Sequence, residues 1–345
     1  HLEVEMELHI KTLTPLWTGG AYAGKVDRIH ETGILGSLRW WYEALLRGLG
    51  GKVCDPSQGG CQLDVEKYEE NHCLSDAGLC DVCQVFGATG WQRRFRLVIT
   101  DQTQQDTSSP TRISAQRINP KTRNEPTWYF PDHPRAGSLS IRIQSRDSKF
   151  SPAVIGGLIQ FIADWAAIGA KTQMGFGVIK LQNGRFETKS LYNWLDSITA
   201  GCCAYHDLPS LQNLFFACVQ QKDATVQEVF NLKYVLRKLF AKDKNLRHFI
   251  MGVTEKKQRI ASKVKVSRPY SDGLMRVWGW IPGTAREYRG DWNREKVVSD
   301  IYEHLRKNYP LLVWREMNSH RDTVEPDNSD VKRFLKSLLG LQEEM

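Results

Sequence analysis

The sequence predicts an α+β fold made of two successive strand–helix–strand–strand–helix–strand units, with helical and loop insertions. Three observations predict it. Residues 2 to 14 alternate apolar and polar groups, residues 34 to 49 carry apolar groups at helical spacing, and the same succession of signals recurs after residue 190.

Leu2, Val4, Met6, Leu8 and Ile10 alternate with Glu3, Glu5, Glu7, His9 and Lys11, the period of a half-buried strand. A glycine-bearing loop, WTGGAYAGKVDRIHETG, follows. Ile34, Leu38, Trp41, Leu45 and Leu49 then form a helical stripe, with Thr32 as the expected N-cap and Gly50-Gly51 as the stop. Phe95, Leu97 and Ile99 alternate with Arg94, Arg96 and Val98 in a second strand. Residues 101 to 137, rich in Gln, Thr, Ser, Pro and Arg, read as a long loop with one short hairpin, and loops of that length are usually functional or disordered. SLSIRIQSR is a third strand. Ser151 and Pro152 open a second helix whose inward stripe is Val154, Ile155, Leu158, Ile162 and Trp165, with its end expected near Gly169. GFGVIKLQ closes the unit, a split βαβ arrangement of ferredoxin-like (RRM-like) type spanning 1–190. In 191–345, LFFACVQ, TVQEVFNLKYVLRKLF, SKVKVSRPY, LMRVWGWIP and REKVVSDIYEHLRKNY read as a second, degenerate copy with extra helices.

The 345 residues are 41% hydrophobic, ample for real cores, and no run approaches the roughly 20 apolar residues that span a bilayer, so a cytoplasmic protein is expected. The net charge of +8 favours a polyanionic partner. Residues 231 to 270 hold twelve Lys or Arg against Asp243 and Glu255, a net +10, so the rest of the chain is nearly balanced. Within that run Lys263, Lys265 and Ser267 share one strand face, and Arg276, Trp278 and Trp280 share another further on; an exposed face of this kind stacks bases, and a covered one is core. The chain has no H-E-x-x-H, G-x-x-x-x-G-K-[ST] or G-x-S-x-G motif.

Five of the eight cysteines fall between residues 54 and 83. Disulfides are disfavoured in a reducing compartment. Cys54 and Cys61 with the Cys80/Cys83 pair have the spacing of a four-thiolate structural zinc site, in which Cys73 or His72 could replace Cys61. A redox pair would open a helix after a strand, whereas FGATG here reads as a loop. Free thiols packed as small apolar groups are the alternative.

The segments TPLWTGGAYAGKVDRIHETGILGSLRWWYEALLRGLGG, CDVCQVFGATGWQRRFRL and GAKTQMGFGVIK, in that order, resemble the RAMP superfamily of CRISPR-associated RNA-binding proteins. Within it they are similar to the first-named subunit type of the Cmr module, the type III-B effector. The resemblance implies a tandem ferredoxin-like fold. It also implies a place in an antiviral CRISPR ribonucleoprotein with CRISPR guide RNA, target single-stranded RNA and other Cmr-complex subunits as partners, near the guide's 3′ portion and without a cutting role. KTQMGFGVI resembles the superfamily's glycine-rich loop, which brings forward Lys171, Thr172, Gln173, Gly175, Phe176 and Gly177 as RNA contacts. Lys25 and Arg28 stand in the loop that family members project toward the guide.

On the first helix Arg39 and Trp40 lie off the apolar stripe and suit RNA contact, unless Arg39 pairs with Glu43 and Trp40 is buried. Arg93, Arg94 and Arg96 suit phosphate, unless they pair with the glutamates of the first strand. Two readings compete with RNA holding. Guide-processing relatives use a histidine near this helix, where His30 stands, and target-cutting relatives use an aspartate with a divalent ion in the preceding loop, where Asp27 stands. The other is a purely architectural subunit.

Overall fold

The structure is a computed structural model that describes residues 5–114, 125–199, 201, 203–255, 258–286, 288 and 290–342. Leu2, Glu3 and Val4 of the expected first strand lie outside the described residues, as do Lys256 and Lys257 of the basic run. The first half runs β1 (Glu5–Thr12), α1 (Glu31–Gly48), the short helices α2 (Val65–Asn71) and α3 (Asp81–Phe86), β2 (Phe95–Asp101), β3 (Ser138–Ser145), α4 (Ala153–Trp165), β4 (Ile179–Leu181) and α5 (Lys189–Ile198). The second half runs β5 (Leu214–Gln220), α6 (Gln227–Leu239), α7 (Lys244–Met251), β6 (Val264–Val266), β7 (Leu274–Trp280), α8 (Arg294–Asn308), β8 (Leu311–Glu316) and α9 (Val331–Leu338).

Each half forms a four-stranded antiparallel sheet, ordered β2-β3-β1-β4 and β6-β7-β5-β8. Both place the first and third strands in the middle, the tandem ferredoxin-like arrangement expected. The long 101–137 connection contains two short ribbons, Gln104–Gln105 with Arg135–Ala136 and Arg112–Ser114 with Thr127–Tyr129. Residues 115–124 between them lie outside the described residues.

Burial explains how the halves stack. The inward residues of the first sheet, including Leu8, Ile10, Ile141 and Ile143, share a core with α1 and α4. The second sheet is buried on both faces. Phe215 and Val219 pack with α6 and α8, while Phe216 faces α1 and α4, within ring contact of Trp41, Phe161 and Trp165. Helices α1 and α4 are therefore held between the two sheets, which is why LFFACVQ reads as a continuous apolar run. Trp278 and Arg276 belong to this covered face rather than to an open stacking surface.

Two boundaries differ from expectation. Helix α1 begins at Glu31 with His30 as its N-cap, not after Thr32. Tertiary bonds set that start, because Asp101 accepts the Ile29 N–H and the Thr18 hydroxyl accepts the His30 N–H. Helix α4 stops at Trp165 instead of near Gly169, since the Arg276 guanidinium reaches across from the second sheet to the carbonyls of Ala163 and Ala166, 2.7 Å from each.

After β8 the chain buries charges. Arg315 donates to Asp322 at 3.0 Å, Asp322 accepts the backbone N–H groups of Glu316, Val324 and Glu325, and Glu316 is bound by Arg294 and Arg321. Asp322→Ala strands a buried guanidinium and three amides. The expected loss is about 3–5 kcal/mol, read as a lower denaturant midpoint with unchanged slope. A change below about 1 kcal/mol would show the network to be dispensable.

Candidate nucleic-acid interface and metal centre

The open face of the first sheet carries Glu5, Glu7, His9, Lys11, Arg96, Arg142 and Lys180 and, among the described residues, no Phe, Tyr or Trp. It lacks the stacking residues with which RRM-type sheets read bases. Rings and cations meet instead along the seam between the halves.

There a cleft of about 330 Å³ is bounded by Gly36 and Trp40 of α1, Gly169 and Thr172 of the segment after α4, and Lys265 and Trp278 of the second sheet. The Lys265 ammonium lies 4.8 Å from the Trp40 ring centre and has no carboxylate partner among the described residues. Protein atoms crowd this ammonium, and that desolvation lowers its pKa to about 8. A side chain at Gly36 would meet nothing within 4 Å, so α1 presents bare helical backbone to the cleft. Glycine inside a helix costs about 1 kcal/mol relative to alanine, and no packing demand accounts for it here. Gly36 was missed in the sequence reading; an isolated glycine amid a helical stripe was its signal.

One wall is the turn Thr172–Met174, entered by Lys171 in the left-handed conformation (φ 56°), with the Lys171 ammonium 4.8 Å over the Trp17 ring. Burial pushes the Lys171 pKa down. The glycines of this turn face inward. A Cβ on Gly175 would lie 2.6 Å from Arg268 Cγ, and one on Gly177 would collide with the Ile168 carbonyl. Phe176 between them is fully buried against Trp17, Phe130 and the Arg268 guanidinium. The room that a phosphate needs at these α-carbons is filled by protein; Lys171, Thr172 and Gln173 remain partly exposed.

The loop before α1 is pinned from below by Asp101 to Ile29 N–H, by Arg135 to the Asp27 carbonyl and by Asp132 to Val26 N–H. Lys25 stays exposed, and Arg28 pairs with Glu31 at 3.0 Å while half exposed. Asp27 does not pair with Arg28. It bonds His30 Nε2 at 2.8 Å, which holds its carboxyl below the usual aspartate pKa. Arg93 and Arg94, just before β2, and Arg96 within it stand elsewhere. Arg93 abuts Gly87 two residues before the strand, which itself runs about 20 Å to Asp101. Arg94 is taken by Asp147 at 2.9 Å and by the Gln84 carbonyl, and Arg96 is exposed. The rival pairing with Glu5 or Glu7 is not formed, because β2 pairs with β3 and not with β1, and Glu3 lies outside the described residues.

Arg39 belongs to a different centre. Its guanidinium bonds Glu43, the Gly87 carbonyl and Cys83 Sγ, so the i, i+4 pairing expected as its alternative is formed. Cys54, Cys61, Cys80 and Cys83 gather with their four sulfurs within 4.8 Å of one another. These are the four that the spacing selected; neither Cys73 nor His72 joins them. Cys54 and Cys83 stand 3.7 Å apart, close to the separation of two sulfurs about 2.3 Å from one tetrahedral ion. The Cys80 amide donates to Cys61 Sγ at 3.4 Å, the usual outer support of such ligands. The Cys80 thiol is shifted toward thiolate by the hydrogen bond from Cys83, which is itself pushed up by that bond and by burial. The pair does open a helix, α3, with Cys80 as its N-cap, contrary to expectation, while the chain after Phe86 is the loop expected and no strand leads into the helix. Donor set, distances and burial fit a metal ion.

Two paired βαββαβ modules thus carry rings, cations and bare helix backbone along their seam. Residues 9–180 match the model of the RAMP superfamily, and over that span the chain belongs to it. Similar solved structures include Cmr1 from Pyrococcus furiosus in its apo form (15% identity, 87% of this chain and 96% of that one, TM-score 0.47). A chain of the type III-B Cmr-beta complex bound to cognate target RNA and AMPPnP is another (14% identity, 88% and 99%, TM-score 0.46). A third is Cmr6 from Pyrococcus furiosus (14% identity, 52% and 98%, TM-score 0.27). No curated protein matches the chain. Among the described residues, no helix is long and apolar enough to cross a membrane.

Proposed function

We propose that the chain is a non-catalytic RNA-binding subunit of a CRISPR RNA-guided type III-B (Cmr) effector, holding guide RNA near its 3′ end and the target RNA in the seam cleft. The RAMP match supports the setting. One observation carries the site: the bare backbone at Gly36 opens into the cleft that also holds the Trp40 ring and the unpaired Lys265 ammonium. An unpartnered cation beside a ring and an exposed helix is arranged for a phosphate and its base. Lys25 and Arg28 add phosphate contacts from the pinned loop. The cysteine cluster holds a structural zinc ion that fixes residues 54–83 against α1.

The isolated chain is expected to bind single-stranded RNA with affinity that falls steeply as salt rises. Lys265 adds a pH signature. Its ammonium is charged below about 8 and neutral above, so affinity should drop as pH rises through that value. In Lys265→Arg, whose charge persists, the drop should vanish. Salt-independent or absent binding would favour the architectural reading instead.

The Asp27–His30 hydrogen bond favours a second reading, an endoribonuclease, because it joins a carboxylate to an imidazole on an exposed loop. Guide-paired RNA with Mg²⁺ should survive incubation with the wild-type chain. Cleavage lost in Asp27→Ala or His30→Ala would establish the enzyme.

A further inference from the structure

A second cavity lies on the other side of the Thr172–Met174 turn, with a volume of about 700 Å³. Gln173 and Met174 line it, whereas Thr172 lines the seam cleft, so the turn is a wall common to both. Its remaining walls come from the 112–129 ribbon, α6, the end of α7 and the chain around residues 253–262. That volume suits a nucleotide-sized ligand.

The lining divides into rings and cations. Trp128 meets Phe230 edge-on at 4.9 Å, and Tyr234 stacks on Phe230 at 5.8 Å with planes 16° apart. Arg237 and Arg259 supply positive charge with the Lys233 amine beside them, and among the described residues no Asp or Glu lines the cavity. Lys233 is only 8% exposed, yet its side-chain nitrogen bonds the Ser262 hydroxyl at 2.6 Å and the Val264 carbonyl, and no carboxylate among the described residues. Arg237 likewise bonds carbonyls, that of Gly252 at 2.8 Å. Lys233 is buried and Arg237 half-buried, and leaving such groups without a carboxylate among the described residues is costly; burial beside Lys265 and Arg237 pushes the Lys233 pKa well down. A phosphate in the cavity would supply the missing charge, and a base would cover the rings.

We propose that this cavity binds a nucleoside phosphate, with its base against Trp128, Phe230 and Tyr234 and its phosphate toward Lys233, Arg237 and Arg259. The nucleotide comes either from an RNA strand held in the neighbouring cleft, which rests on the function proposed above, or from solution. Nothing in the superfamily match assigns this cavity.

The full chain is titrated with adenosine 5′-monophosphate, with inorganic phosphate and with a single-stranded RNA 12-mer, followed by calorimetry and tryptophan fluorescence. The variants are Tyr234→Ala and the exposed Arg259→Glu, each checked for unchanged circular dichroism, and Gly36→Phe as a block of the other cleft. Monophosphate should bind more tightly than phosphate and lose about tenfold or more in Tyr234→Ala and Arg259→Glu but not in Gly36→Phe. If the pocket takes an RNA nucleotide, the 12-mer weakens in the same two variants; if it takes a free one, only monophosphate binding does. Equal binding of phosphate and monophosphate would overturn the base site. If monophosphate does not bind and the 12-mer binds all pocket variants like wild type, this proposal fails while the RNA reading stands. A 12-mer that never binds, with monophosphate still lost in the pocket variants, fails that reading alone.

Discussion

Cys61→Ser should lower stability by more than about 4 kcal/mol and shift the unfolding midpoint by about 5 °C or more. The size of the effect discriminates between an ion and packed thiols. Cys61 is only half-buried, on a loop, where exchange of sulfur for oxygen without an ion changes stability by about 0.5 kcal/mol or less. With an ion, one lost ligand loosens the anchor between residues 54–61 and 80–83, and with it the face of α1 that bears Arg39, Glu43 and Arg47. Arg47 donates to the Cys54 carbonyl and Glu43 bridges both arginines, so the cluster and the helix are fixed together. The protein as purified should contain one zinc per chain by elemental analysis, and a strong chelator should reproduce the loss. Metal-free protein of unchanged midpoint in chelator would reduce the four sulfurs to core packing.

The cysteine quartet was legible because ligand spacing is local information: two short loops need only close on each other. The strands of the first sheet were legible for a similar reason, since one face is wet and the period of two survives. The second sheet hid its organisation. With helices on both sides, Phe215 and Phe216 are equally buried, and the polar members of the far face, Arg276 above all, serve as caps for α4 instead of marking solvent. The glycines carry the sharpest lesson. Gly175 and Gly177 fit a phosphate-binding motif, yet what approaches their α-carbons is Arg268 and Ile168, whereas Gly36, in no motif, faces open space. A missing Cβ is visible in sequence; the atom that uses the gap comes from a distant part of the chain.

That contrast yields the most selective test of the proposed RNA site. Gly36→Ala should stabilise the chain by about 1 kcal/mol, because helix propensity improves and the new methyl meets no atom within 4 Å. Gly36→Phe should fold as well as wild type, yet its ring would project into a cleft of about 330 Å³ that lies beside Trp40 and Lys265. RNA affinity should fall about tenfold or more at fixed salt, by a change that touches no charge. Lys265→Gln should act differently, lowering the slope of log affinity against log salt by about 1. A side chain that leaves the fold intact while it weakens RNA binding separates function from fold at a single position. Full RNA affinity in Gly36→Phe would place the strand on another surface, and the exposed Lys25 and Arg28 loop would then be the surface to mutate next.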